Sequence, residues 1–397
     1  MTLPGETASP PDYPVPKVPS HPVLSGGSLG HGRRVPSVLD AGRAVHTVSG
    51  RMALALALER LGIGLGAKVL LPAYHCTALV EPVVRAGAVP VFYRVRRDLS
   101  VDLVDVAARA EGARALLAVH YFGFPQEMAA LRAFCDARGL LLIEDCAHAF
   151  FGRFGGRPVG ATGDVAFAST WKFFPVTEGG CLVARGPAAP LRGPGLRYEA
   201  KSTMNALERA WAMGRLPLLR ALFAPLFGTK NLLRDLRKRR AGGAPAPTSD
   251  VPTGSLEFDE SWRGCRASWF TRFVLATADR GRIASLRRRN YALLLDGLHG
   301  LPDTAALFPS LPEGVVPYVF PLIVEDERVF PALKRRGVPI VRFGEFLWEG
   351  VDERTCPVAA EYSRKVLQFP CHQEMTRREL DWIVAEVREA VRKGVQG

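Results

Sequence analysis

The sequence predicts an α/β fold: a mainly parallel sheet covered by helices on both faces, followed by a smaller α+β unit. Three observations predict it. Short, unbroken apolar runs recur between residues 45 and 185, as buried parallel strands do and one-sided antiparallel strands do not. Segments of helical spacing stand between them and supply the crossovers that parallel strands need. The length of 397 residues, 48% hydrophobic and 23% charged, suits a large core in two domains and excludes disordered, collagen-like and coiled-coil classes.

The elements follow in chain order. Residues 1–36 hold eight of the 31 prolines, with glycines at 26, 27 and 30. Proline has no amide hydrogen for a ladder, so residues 1–44 read as an extended arm, lying over the surface or over a partner subunit. Met52 to Leu61 is rich in alanine and leucine and stops at Gly62, a helix with a glycine C-cap. Val69–Leu71, Val89–Val95 and Ala115–Val119 read as strands. Gln126 to Arg138 places Met128, Leu131, Phe134 and Cys135 on one face and ends at Gly139, an amphipathic helix. Leu140–Ile143, Val165–Ala168 and Cys181–Ala184 are three further strands. Residues 186–260 break this rhythm with proline, glycine and arginine, and close a large domain spanning 45–260. Helices at Phe270–Leu298, Ala332–Arg336 and Leu380–Arg392, with a strand at Tyr318–Val324, then predict a small domain over 261–397.

No Walker loop, GxSxG elbow or HExxH is present. Gly62-Ile63-Gly64-Leu65-Gly66 imitates a dinucleotide fingerprint, but it precedes a strand instead of joining a strand to a helix. The informative constellation comes from three strand ends. Ile143-Glu144-Asp145-Cys146-Ala147-His148 sets an acidic pair and a histidine just past a buried strand. Ser169-Thr170-Trp171-Lys172 follows the next strand, and Glu178-Gly179-Gly180 turns into the one after. Upstream, Val48-Ser49-Gly50-Arg51 opens a helix whose unsatisfied amides and dipole suit a phosphate. Each piece alone has a bland reading: a solvated turn, a surface lysine, a common N-cap. Their order in one sheet suits pyridoxal phosphate, which needs a lysine amine for a Schiff base, a carboxylate at its ring nitrogen and a phosphate cradle.

With these motifs the sequence resembles the DegT/DnrJ/EryC1/StrS family of pyridoxal-phosphate-dependent sugar aminotransferases, closely over residues 45–185 and more loosely in the C-terminal third. The matching runs are Gly62 through Tyr74, Val119-His120-Tyr121-Phe122-Gly123, Ile143 to His148, Val159-Gly160 through Asp164, and Lys172 to Gly180. The resemblance implies fold type I, a seven-stranded sheet between helices. It makes Lys172 the Schiff-base lysine, Asp145 the partner of the pyridine nitrogen and His148 a ligand of the phenolic oxygen. Ser169, Gly50 and Arg51 become phosphate ligands, with arginine where the family has threonine. The expected reaction moves an amino group from an amino acid, glutamate by analogy, to a nucleotide-linked keto sugar, in a homodimer. Rivals are dehydration, which the family performs with histidine at the lysine position, and a regulatory role without turnover. Three departures stand out. The Ser169–Lys172 loop is about two residues short, Cys76 replaces the ring-stacking aromatic so that His75 is the expected substitute, and Gly264-Cys265-Arg266 lacks the asparagine of Asn-x-Arg.

Seven scattered cysteines without a CxxC pair indicate neither a zinc site nor a disulfide framework, so a reducing cytoplasm is the expected compartment. No basic segment leading into an apolar one marks a signal peptide, and no apolar run is long enough to cross a membrane. The formal charge is +13. Residues 181–240 hold thirteen Lys/Arg against three acids and so account for +10 of it. Within 207–240 the basic residues interleave with Trp211, Leu222, Phe223 and Phe227. That pattern fits a loop over the active site, or a peripheral contact with the inner face of a membrane. No nucleic-acid-binding signature accompanies it, so nucleic acid is not an expected partner.

Overall fold

The computed structural model describes residues 13–30, 32, 34–187, 190–217, 223–225, 227–228 and 258–395. Strand β1 (Arg43–Thr47) leads into helix α1 (Gly50–Arg60), followed by β2 (Lys68–Pro72), α2 (Thr77–Arg85) and β3 (Val89–Tyr93). Helix α3 (Leu103–Arg109), β4 (Ala113–Val119), α4 (Met128–Arg138) and β5 (Leu141–Asp145) continue the alternation. A two-residue hairpin, β6 (Arg153–Phe154) and β7 (Arg157–Pro158), precedes β8 (Val165–Ser169) and β9 (Gly180–Ala184). The seven-stranded sheet has the order β1-β9-β8-β5-β4-β2-β3. Strands β3, β2, β4, β5 and β8 are mutually parallel.

Strand β9 departs from the parallel reading of Cys181–Ala184: it runs antiparallel to both β8 and β1. Only Thr170–Gly179 joins β8 to β9, too short for a crossover of a dozen or more residues. The chain therefore turns straight back, and the turn carries Lys172. Gly139 ends α4 in the left-handed conformation (φ 63°), as its sequence position predicts.

Helix α5 (Leu196–Ala212) lies in the stretch that shows no sheet rhythm. Beyond it the predicted helix over 270–298 is two helices, α6 (Trp269–Thr277) and α7 (Arg280–Gly297). The break has a local cause: Asp279 accepts a 2.8 Å bond from the Arg282 amide and caps a new helix. A second, antiparallel sheet follows, with β10 (Thr304–Ala306), β11 (Val319–Val324), β12 (Val341–Arg342) and β13 (Val366–Pro370) in the order β10-β11-β13-β12. Helices α8 (Val329–Arg335), α9 (Pro357–Lys365) and α10 (Arg377–Val395) complete this part. One continuous apolar cluster joins both sheets.

Residues 17–30 of the N-terminal arm bond to this chain's own C-terminal third, and Ser37 bridges to Phe151 of the large sheet region. Lys17 N–H donates to Gly337 O (3.0 Å), His372 Nε2 donates to Pro19 O (2.9 Å), and Gly30 N–H donates to Thr277 O (2.9 Å). Most of the basic stretch 207–240 lies outside the described residues. Within its described portion Phe227 is buried 5.7 Å from the Trp211 ring, and Arg215 pairs with Glu379 of α10. Among the described residues no helix is long and apolar enough to cross a membrane.

Candidate active site

The carboxyl ends of β5 and β8 lie side by side in the sheet, where open α/β sheets bind ligands. Successive strand residues face opposite ways, so Glu144 and Asp145 part company. Glu144 accepts from His120 Nε2 (3.0 Å) and from the amides of Gly160 (3.2 Å), Thr162 (2.7 Å) and Gly163 (2.5 Å). It is tied to the 160–163 turn. Asp145 is buried and accepts a 2.8 Å bond from the Ala147 amide at Oδ1. Burial raises its pKa, against the pull of that amide and of Lys172.

Lys172 ends a three-residue 3-10 turn that leaves β8. Its amine stands 5.4 Å from the Tyr318 ring centre and 5.8 Å from that of Trp171. Burial lowers its pKa, Cys76 and Asp145 oppose the shift, and Arg51 adds to it. These four groups therefore share one electrostatic neighbourhood. His148 is stacked between Tyr318 (4.7 Å) and Phe122 (5.7 Å). Its Nδ1 is buried without a hydrogen-bond partner among the described residues. Burial, reinforced by Lys172, keeps this imidazole neutral well below its ordinary pKa.

The start of α1 is built against the same edge. Ser49 Oγ accepts the Met52 amide (3.3 Å) as N-cap, and Gly179 N–H donates to Val48 O (2.8 Å). A Cβ on Gly50 would lie 3.4 Å from Ser169 Cβ, so the helix start and the end of β8 touch. Gly180 is tighter still: a Cβ there would fall 2.4 Å from the Ser49 carbonyl. Gly180 thus lets β9 pass beneath the helix start. Arg51 points toward α2, with Nε 3.6 Å from Glu81 Oε2.

The sequence-selected residues Gly50, Arg51, Asp145, His148, Ser169 and Lys172 come together here, and His75 does not join them. Its Nδ1 donates to Ala73 O (2.8 Å) and Pro72 O (3.1 Å), and its Nε2 accepts from the Trp348 amide (3.0 Å). The ring stacks on Phe92 at 4.9 Å, and burial lowers its pKa to about 4. With both nitrogens and a ring face engaged, His75 is a structural joint. The residue beside Lys172 and Asp145 is Cys76, the N-cap of α2.

Other neighbours of the site escape sequence reasoning. His21 of the arm bonds Tyr318 Oη (3.2 Å) and packs 4.6 Å from Trp171. Arg287 and Gln373 reach the lysine turn from α7 and from the segment before α10. Arg287 opens an Arg-Arg-Arg run that reads as solvated charge, and no spacing rule marks it. Glu178, six residues beyond the lysine, accepts from the Ser268 amide (3.1 Å), Ser268 Oγ (2.7 Å) and Thr271 Oγ1 (2.5 Å), and so anchors α6.

Residues 33–210 match the DegT/DnrJ/EryC1/StrS aminotransferase family. The matched segment runs from the end of the arm through β9 into α5. The chain is 38% identical over 153 residues to a GDP-perosamine synthase of Vibrio cholerae, covering 37% of this chain and 41% of that protein. The match thus spans less than half the length of that relative. Over 362 residues it is 27% identical to a dTDP-3-amino-3,4,6-trideoxy-alpha-D-glucose transaminase of Streptomyces venezuelae, covering 88% of this chain and 83% of the relative. A solved S. venezuelae structure in complex with a ketimine intermediate aligns with a TM-score of 0.61 at 26% identity, over 88% of this chain and 84% of that one.

Proposed function

We propose that the chain is a pyridoxal-phosphate-dependent aminotransferase that moves an amino group from an amino acid, glutamate first among them, to a nucleotide-linked keto sugar. One observation carries the reading: a lysine whose amine burial holds below its ordinary pKa, in the electrostatic company of a buried aspartate, at the carboxyl edge of a parallel sheet. The acceptor class rests on the named activities of the relatives.

The residues fit the cofactor. The buried Nδ1 of His148 has no partner among the described residues, and the start of α1 offers backbone amides beside Ser169. Bound pyridoxal phosphate would supply an electron-accepting ring and a carbon that carries the amine in transit. Gly50 and Ser169 would hold the phosphate, with Arg51 adding a cation. Asp145, as carboxylate, would hold a proton on the ring nitrogen, and His148 would meet the phenolic oxygen. Lys172 Nζ, its pKa lowered by desolvation, would take a proton from the donor's α-carbon as base and, as acid, return it to the cofactor carbon that carries the amine. The wall of Trp171, Tyr318 and His148 would exclude water from that transfer. The reading includes a homodimer. The stacked pair Trp269 and Phe273 (5.4 Å), left partly exposed on α6, is consistent with a covered face.

Addition of pyridoxal phosphate to the purified protein tests the reading. A visible absorption band should appear, and an amino donor should bleach it. Lys172→Ala should abolish the band, and glutamate with a nucleotide-linked keto sugar should yield the amino sugar. A wild-type protein without the band, or a Lys172→Ala variant that keeps it unchanged, overturns the assignment.

A further inference from the structure

We infer that Arg287 and Gln373 are positioning residues that clamp the two consecutive carbonyls of the lysine turn and thereby fix where the Lys172 amine stands. The inference rests on the reading of Lys172 as the working amine. Arg287 is fully buried. Its Nη2 donates to Lys172 O (2.7 Å), its Nη1 to Tyr318 O (2.9 Å) and Pro317 O (3.2 Å), and its Nε to Gln373 Oε1 (3.0 Å). Gln373, also buried, passes the clamp to the next residue: its Nε2 donates to Phe173 O at 2.9 Å. The guanidinium lies 4.5 Å from the Phe173 ring centre, which closes the other side of the turn.

The turn needs outside support. Thr170–Lys172 is one short 3-10 turn, a geometry with weak internal bonds. The carbonyls at its end are the ones that a helix end leaves without intrahelical donors. Arg287 and Gln373 supply those donors. A buried guanidinium is costly unless its N–H groups are taken up. All four of its acceptors are neutral, and the nearby Glu374 carboxylate is bonded to Arg282. Burial lowers the Arg287 pKa only to about 10, so the group stays charged at neutral pH. A charge kept in so costly a place, with its bonds directed to the lysine turn and to the backbone of Tyr318, sets both the amine and the ring that faces it.

The test uses Gln373→Met, Arg287→Met and Arg287→Lys in the full-length protein. The first readout needs no cofactor. An amine-reactive acylating reagent is applied to the apo-protein across pH, and peptide mass spectrometry compares Lys172 with the exposed Lys68. Groups that face the Lys172 amine are Cys76 at the N-cap of α2, Asp145 on β5, Arg51 on α1, and His148, Tyr318 and His21. All are retained in the variants. Release of the turn hydrates the amine. The pH of half-acylation of Lys172 should therefore rise by about one unit, or about tenfold less acylation at neutral pH, with Lys68 unmoved.

The second readout is steady-state kinetics. Gln373→Met should lower kcat by roughly 10- to 100-fold, as misplacement of a reacting group does, while KM for both substrates changes by less than about 3-fold. Arg287→Lys, which keeps a charged donor, should recover part of what Arg287→Met loses. Should Arg287→Met fail to fold, Gln373→Met decides. An unchanged Lys172 acylation profile together with unchanged kcat in folded Gln373→Met overturns the clamp. A shifted acylation profile in a protein whose wild type shows no cofactor band leaves the clamp standing and overturns the aminotransferase reading alone.

Discussion

Replacing Glu144 by glutamine isolates one member of the acidic pair and has a magnitude that the structure fixes. Burial pushes this carboxyl up, but bonds from His120 and from the Gly163 and Thr162 amides hold its pKa below the ordinary 4.5. Gln126 N–H donates to His120 Nδ1 (3.1 Å), so the ring hydrogen sits on Nε2 and is given to Glu144. Oε1 receives Thr162 and Gly163, and Oε2 receives Gly160 and His120. Glutamine has one oxygen and one NH2, so either orientation leaves two donors facing a donor. Two stranded N–H groups at about 1–3 kcal/mol each give a loss of roughly 4 kcal/mol. Urea unfolding at pH 7 measures it. The sign with pH follows from the lowered pKa: the carboxylate's contribution is complete above 4.5 and fades as pH falls through the folded value. The gap between wild type and Glu144→Gln should therefore be full at pH 7 and narrow as pH falls below 4.5. A loss under about 1 kcal/mol at pH 7, or a gap that does not narrow in acid, refutes the reasoning.

Gly180→Ala places a Cβ 2.4 Å from the Ser49 carbonyl, backbone against backbone; it should lower the unfolding midpoint and weaken pyridoxal phosphate retention about tenfold or more, and an unchanged dissociation constant counts against the cradle at α1. His75→Ala removes three bonds to backbone groups and the Phe92 stack; it should lower thermal stability and leave the cofactor band in place, whereas Cys76→Ala should shift the band with little loss of stability. The reverse pattern would return His75 to the site. For His21→Ala and Tyr318→Phe, a double-mutant cycle on kcat/KM should give a coupling of about 1 kcal/mol through their 3.2 Å bond; additive effects would detach the arm from the site.

Sequence legibility followed the physics of each element. Strands β2, β4, β5 and β8 are buried on both faces and read as plain apolar runs. Strand β1 was missed because it is a half-exposed edge, Arg-Ala-Val-His-Thr, with no unbroken apolar run. Strand β13 was missed because Gln368 and Pro370 interrupt it, although all five residues are buried between β11 and β12. The direction of β9 follows from the length of one turn, which a strand-by-strand reading ignores. The break between α6 and α7 depends on a side-chain cap, to which hydrophobic periodicity is blind.

The same division runs through the site, and it has a structural cause. A parallel sheet delivers every strand's carboxyl end to one edge, so Asp145, Ser169 and Lys172 gather there by topology alone. Their order along the chain is enough to show them. His75 missed by one position because α2 begins at Thr77, which leaves Cys76 at the cap and turns His75 back to the carbonyls of Pro72 and Ala73. Arg287, Gln373 and His21 obey no such rule. They arrive from α7, from the run into α10 and from a proline-rich arm, and each touches the lysine turn or its aromatic wall through a bond that its own surroundings do not announce. The groups proposed to do chemistry are therefore set by the large sheet and can be read. The groups that hold them in place come from the antiparallel part and the arm, whose patterning reports only their own cores. A change of substrate within such a fold would then be sought first among these positioning contacts, where the sequence is least constrained by the sheet.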